Sequence, residues 1–586
     1  LQFPSTPVEN AKIAPAKTEM PHSNPQNPLK SLFQIMELKL LLVGFLLAAL
    51  SDARSTPQPG TVNPDPGSEP CARCHSEIYN SYQKTVMATA SGNANDGVIT
   101  GEFYHAPSGV RYRVFQKDGD VWMSYERPDE KKFRGRRELL YFIGSGVKGR
   151  SYLFSVDGFL FETPIKWYSQ EHRWSMTPAY TEARESPMNL PAFVDCLNCH
   201  TSGLEPPLPG TDSKFPGKPF LHGGITCERC HGTGDGHLEG KGPIVNPRKL
   251  SPERRDAICM ECHFEGTVTV EQAGKRLYQF QPSERLSDYI HYFLLPTNHE
   301  QSPQALSQFE ALSMSACKRK SGDSMWCGTC HDPHYEPSVS EKAGYYRSKC
   351  ITCHGDAFAR KHHPDKPDCT HCHMPSLPSM DVAHTESTDH RILRYPFNPR
   401  LVSRTANRQL VPFPASAGSL TSTRDLALAW ETLAQRGIDG ALQEAETDLG
   451  LAVKENPDDP VLLSAMGYLE QQHGHANEAR DLYERALKID PSLNDAATNL
   501  GILDAKSGNL RKAVALWQQA FARVPNQSAI GLNLAIAFCV AGQPAESRTY
   551  VERVLAFNPD FAKAKQLWSN LNSNPPRCKF GSDPDR

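Results

Sequence analysis

Cys-x-x-Cys-His recurs seven times in this chain of 586 residues, and no other feature narrows its possible folds as much. The copies are Cys71-Ala-Arg-Cys74-His75, Cys196-Leu-Asn-Cys199-His200, Cys227-Glu-Arg-Cys230-His231, Cys259-Met-Glu-Cys262-His263, Cys327-Gly-Thr-Cys330-His331, Cys350-Ile-Thr-Cys353-His354 and Cys369-Thr-His-Cys372-His373. Each has the spacing of a c-type heme attachment site: both thioethers sit on one edge of the macrocycle while the adjacent imidazole reaches the iron. Paired cysteines also build zinc sites and redox dithiols. Histidine, however, is only 22 of the 586 residues. Seven pairs each followed by one would arise by chance with a probability on the order of 10⁻¹⁰, which decides for heme. The sequence predicts seven covalent hemes c, with the fourteen motif cysteines as attachment points and the seven motif histidines as proximal ligands.

The length suits three or four domains. A formal net charge of −3 gives no reason to expect a nucleic-acid partner. Residues 36–53 read as a secretory signal: Met36-Glu-Leu-Lys39, an apolar core from Leu40 to Leu50, then Ser51-Asp-Ala53 at the cleavage positions. That core is too short to anchor the chain, so no membrane span is expected after cleavage. Residues 1–35 are expected to be an upstream extension and 54–70 a Pro-rich linker. The expected location is periplasmic or extracellular.

The cytochrome region is expected over 71–400. Six of its motifs lie between Cys196 and His373, leaving roughly thirty residues per cofactor, too few to build an apolar core for each. Cofactors packed on one another, wrapped by short helices and loops, are expected to be the core. The expected fold class is therefore mainly α, with one small antiparallel β insertion at about 109–168. There Val110 to Phe115, Val121 to Tyr125 and Tyr152 to Val156 alternate with the strand period, and Asp157-Gly158 signals a hairpin.

A linker is expected at 401–420, and from 421 to 575 four units repeat every 34 residues. Gly440, Gly474, Gly508 and Gly542 separate paired helices; Pro457, Pro491, Pro525 and Pro559 end each second helix; Ala445, Ala479, Ala513 and Ser547 hold the small crossing position. Met466-Gly467 and Leu500-Gly501 supply the first-helix pair, Tyr483 and Trp517 are the large packing residues, and Leu433 replaces the glycine in the first unit. This segment resembles the tetratricopeptide repeat family. The resemblance implies an α-α solenoid of stacked hairpins with a groove for a protein partner, so a redox partner protein or self-assembly is expected. Residues 576–586 are left as a tail.

A second axial ligand closes a heme iron for electron transfer, so spare histidines matter. Besides the seven histidines that end the motifs, twelve lie between Cys71 and Arg400. The five best placed as distal ligands are His222 before the third motif, His237 after it, His334 beside His331, and His384 and His390 after the last. Met87 is a weaker candidate. Cys317 reads as a free thiol and Cys539 as a buried apolar residue in a repeat helix.

The run through Ser81-Tyr82 and Met87, the stretch Ile143-Gly-Ser-Gly146, the segment Cys330-His-Asp-Pro-His334 and Cys372-His-Met-Pro375 resemble the cytochrome c-554-type multiheme proteins. That resemblance implies closely stacked hemes and bis-histidine electron transfer. The expected function is electron relay rather than catalysis. Two alternatives stay open: an oxidoreductase acting on a nitrogen or sulfur oxyanion at one open heme, and a subunit of a conducting filament.

Overall fold

Strand structure extends on both sides of the stretch singled out above. In the computed structural model, which describes residues 67–295, 306–362, 368–377, 388–394, 409–413 and 422–578, nine strands form one antiparallel sheet. They are β1 (Ser91–Asn93), β2 (Gly101–His105), β3 (Val110–Lys117), β4 (Asp120–Glu126), β5 (Arg134–Ile143), β6 (Gly149–Val156), β7 (Phe159–Glu162), β8 (Ile165–Tyr168) and β9 (Arg173–Met176). Along β3, Val110, Tyr112 and Val114 are buried while Arg111 and Arg113 face water. Two hairpins turn on Asp-Gly: Asp157-Gly158 between β6 and β7, as expected, and Asp118-Gly119 between β3 and β4, with positive φ at all four residues.

The sheet runs β2-β3-β4-β5-β6-β8-β9 and curls until its two ends meet, making a nearly closed barrel. The approach is tight. A Cβ on Gly101 of β2 would lie 2.8 Å from the Trp174 indole of β9, so only glycine fits there. Tyr112, Met123, Tyr152, Phe154 and Phe161 fill the interior. Two smaller antiparallel sheets follow: β10 (Thr201–Leu204) with β11 (Phe220–Gly223), then β12 (Val268–Glu271), β13 (Ile290–Leu294) and β14 (Val411–Phe413). The expectation of a mainly helical cytochrome region with a small insertion is thus corrected: its first third is a strand-rich body with its own apolar core. Clean alternation marks only the central strands, and the shorter β1, β2 and β9 fall outside it.

Helices in the cytochrome region are short, and six of them end at the second cysteine or the histidine of a motif: Val194–His200, Glu228–His231, Pro252–His263, Cys327–Cys330, Lys342–His354 and Cys369–His373. Three-residue spacing on a helical turn puts both cysteines of a pair on one side.

The repeats are paired helices as expected: α1 (Thr423–Gln435), α2 (Ala441–Glu455), α3 (Pro460–Gln472), α4 (Ala476–Ile489), α5 (Asn494–Lys506), α6 (Leu510–Arg523), α7 (Ser528–Val540) and α8 (Pro544–Phe557), closed by α9 (Ala562–Leu571). A Cβ on Gly467 would meet the Tyr483 ring at 2.8 Å, and one on Gly501 the Trp517 ring at 2.5 Å. One period away the pairing is Leu433 with Leu449, then Ala535 with Val551, so a larger first-helix residue accompanies a smaller second-helix one. Cys539 is buried, but as one half of a disulfide to Cys578 rather than as a lone apolar side chain. The bond ties the segment after α9 to α7.

All described residues belong to one compact unit. Three of the four loops that join a second helix to the next helix lie against the cytochrome region. Phe557 enters the barrel core, its ring 6.0 Å from Phe159 and 5.8 Å from Phe161. Beside it, buried Asp560 accepts from both Arg127 terminal nitrogens (2.5 and 3.2 Å) and from the Ser186 amide (2.8 Å). Asn494 donates to the Gly210 carbonyl and Asn189 to that of Asn526. At the other end, Val268, Val270, Phe293 and Leu410 share a core with Ala427, Trp430 and Leu433 of α1. Asp425 there accepts from His291 and Gln272. Residues 411–413, inside the stretch expected as linker, supply β14.

Candidate heme-binding site

The motif helices and barrel rim enclose one cavity of about 2140 Å³. Residues from six of the seven motifs line it: Cys196, Cys199 and His200; Cys230; Cys259, Cys262 and His263; Cys327, Cys330 and His331; Cys350, Cys353 and His354; Cys369, Cys372 and His373. The rim contributes Ile143, Arg150 and Trp167, and Met87 and His390 also face it. The first motif reaches the third through Cys71, whose thiol meets that of Cys227. Likewise Cys199 meets Cys262, Cys259 meets Cys327 and Cys350 meets Cys369. Attachment points of different motifs therefore neighbour one another in pairs.

Three of the five distal-ligand candidates face a motif histidine. His237 lies opposite His75, ring centroids 6.4 Å apart and planes inclined by 17°. His334 lies opposite His231 at 5.9 Å and 13°, and His390 opposite His331 at 6.2 Å and 28°. Two metal–nitrogen bonds of about 2 Å, plus about 1.1 Å from each centroid to its nitrogen, require about 6.2 Å.

In five of these six rings the other nitrogen is engaged. Nδ1 of His231 bonds the Val245 carbonyl (2.8 Å), that of His390 the Thr388 carbonyl (3.0 Å), that of His237 the Gly242 carbonyl (3.3 Å) and that of His331 the Tyr346 hydroxyl (3.3 Å). His334 Nδ1 lies 3.5 Å from Asp332. Such partners orient a ligating imidazole with Nε2 toward the metal. His373 is held the same way by the Leu393 carbonyl at 2.7 Å. The chain's own residues fit a set of axially ligated hemes.

His222, on β11, packs its ring on Gly67, four residues before Cys71. His384 lies outside the described residues. Of the other spare histidines, His105 bonds Ser108 and the Thr181 carbonyl through its two ring nitrogens, and His291 bonds Asp425. Cys317 lines the cavity as a free thiol near Cys330 and Cys350.

Two features escaped sequence reasoning. Between the second, third and fourth motifs, the buried Glu261 carboxylate accepts from Arg229 (2.6 Å) and Asn198 (3.1 Å), all three being residues within the motifs. Burial raises the Glu261 pKa against the pull of Arg229. The x positions of three motifs thus lock to one another, a role the spacing signature leaves open. Tyr346 is the second, four residues before Cys350 yet serving the histidine of the preceding motif.

Family comparison agrees at two places. The family described as cytochrome c554 and c-prime matches residues 165–232, and that described as tetratricopeptide repeat matches 504–571. No curated protein matches the chain. Solved structures with similarity include MamA of Desulfovibrio magneticus RS-1 (20% identity, 26% of this chain and 86% of that one, TM-score 0.23). Others are pilF of Pseudomonas aeruginosa (20%, 26% and 69%, 0.23) and a tetratricopeptide repeat protein of Parabacteroides merdae (18%, 26% and 58%, 0.23). The chain carries a cytochrome c554-like segment around its second and third motifs and tetratricopeptide repeats at its C-terminal end.

Proposed function

We propose that this chain is an exported seven-heme c-type cytochrome that relays electrons and meets its partner through its repeats. The observation that carries the reading is the cavity into which six motifs converge, while the first motif meets the third through Cys71 and Cys227. Bound heme supplies a reversible one-electron iron couple. The chain's part is to hold each group by two thioethers, to orient axial imidazoles and to keep water out. In this reading His75 with His237, His231 with His334, and His331 with His390 would each hold one iron, and His222 and His384 would serve among the remaining irons. Pairwise contact between attachment points favours short hops from one group to the next.

Export is supported by the apolar segment after Met36 and by the Cys539–Cys578 disulfide, a bond that persists in oxidising compartments. Among the described residues no helix is long and apolar enough to cross a membrane. The repeats support a protein partner. The mature chain should carry seven heme equivalents by intact mass, with heme stain surviving denaturing electrophoresis. A chain bearing zinc at the motifs and no heme would refute the reading.

A further inference from the structure

The turn between α3 and α4 differs in chemistry from the equivalent turns of the other repeats. It carries Glu470, His473 and His475, whose donor atoms all lie within 4.8 Å of one another. Glu446, on α2 of the preceding repeat, places Oε1 2.7 Å from His473 Nε2, and Glu470 Oε2 lies 2.6 Å from His475 Nδ1. Gly474 between the histidines has φ +83°, the left-handed conformation that lets the chain reverse within His-Gly-His. The side chains are partly open to solvent, so an ion has a route in.

The repeats supply their own control. One period later the same four positions hold Arg480, Asp504, Ser507 and Asn509. There the residue on the second helix is a cation, and Arg480 pairs with Asp504 and donates to Ser507 at 3.1 Å. Another period on they are Val514, Phe538, Ala541 and Gln543. The position joining two repeats is thus filled once by an Arg–Asp ion pair and once by three apolar residues with a glutamine. In the second repeat it gathers two carboxylates and two imidazoles, a set with two negative charges and no permanent cation of its own.

We propose that Glu470, His473 and His475 bind one divalent transition-metal ion of the borderline class, zinc above all, and that Glu446, which already bonds His473, swings in as the fourth donor so that the ion joins the first two repeats. Two carboxylates and two neutral imidazoles balance a dication, and mixed nitrogen and oxygen donors in fourfold coordination suit zinc. Each imidazole must present a lone pair to the ion, so binding weakens as the histidines protonate. The ion takes the place that the Arg480–Asp504 pair fills one repeat further on. The inference stands apart from the heme reading, because none of the four residues belongs to the cytochrome region.

The test uses the full heme-loaded chain, stripped with chelator and dialysed against micromolar zinc, with bound zinc read by mass spectrometry of the metal. The variant is His473→Ser with His475→Asn, which installs the residues the fold already accepts at the next turn. The parent should hold one zinc that this variant lacks. Glu446→Gln should weaken binding at least tenfold, and zinc should raise the melting temperature of the parent but not of the double variant. Equal zinc content and equal affinity in parent and double variant would overturn the proposal. So would a parent that binds none.

Discussion

Phe557→Ala tests whether repeats and cytochrome are one body. The ring is 1% exposed and packs on Phe159 and Phe161 inside the barrel, although its backbone ends the last paired repeat helix. Truncating a buried phenylalanine costs about 3–5 kcal/mol. Unfolding entropy near 60 °C is about 2.1 cal/mol/K per residue. A single unit of roughly 500 residues therefore loses about 4 °C of melting temperature for 4 kcal/mol. Were the repeats to melt alone, about 150 residues would absorb the same loss and their midpoint would fall by about 12 °C. Far-UV circular dichroism at the helix band follows the repeats, and visible heme absorption follows the cytochrome region. Both midpoints should fall together by the smaller amount. A large drop in the helix signal with unchanged heme absorption would refute the shared core.

Deleting residues 421–586 exposes Val268, Val270 and Phe293 and opens the barrel at Phe159, so the truncated chain should lose heme content and bind a hydrophobic dye; a soluble, fully loaded truncation would contradict this. Glu431 is buried on α1, and burial raises its pKa to about 7. Below its unfolded value near 4.5 both states hold the proton; as pH rises to 7 the unfolded chain releases it first, so stability falls. Glu431→Gln should therefore stabilise by about 3 kcal/mol at pH 8 and by well under about 1 kcal/mol at pH 4.5, measured by urea unfolding. A pH-independent gain would be the wrong result. His237→Ala, His334→Ala and His390→Ala should each shift one heme of an otherwise low-spin protein toward high spin in the visible spectrum. Unchanged spectra in all three would remove the axial pairs proposed above.

Local chemistry was legible and long-range burial was not. The motifs announce themselves because thioether attachment needs its residues consecutive, and the repeats because each hairpin must present the same faces to its neighbours. The position of His334, three residues after His331, marked it as a ligand candidate, but not that it would face His231 from an earlier motif. The barrel was read too small because short strands such as β1 and β9 carry too few alternations to stand out, although Asp118-Gly119 was a hairpin signal in plain view. Nothing in the sequence distinguishes Asp560 from Asn526, Ser492 and Asp458, its equivalents after the other repeat prolines. Only the barrel wall, with Arg127 and the Ser186 amide, turns that one turn residue into a buried acceptor.

Repeat solenoids ordinarily behave as springs: neighbours hold neighbours, terminal units fray, and the superhelix opens or tightens to suit what lies in its groove. Here α1 is anchored on β12–β14 while the turn after α8 is anchored in the barrel. A spring fixed at both ends has little pitch left to change. A partner seated along the first helices must accept the curvature it finds, or stretch the coil and draw on both anchor points at once. Groove occupancy and cytochrome stability are then two ends of one thermodynamic linkage. A bound partner that fits the resting curvature would tighten the walls around the cofactors, and one that does not would loosen them.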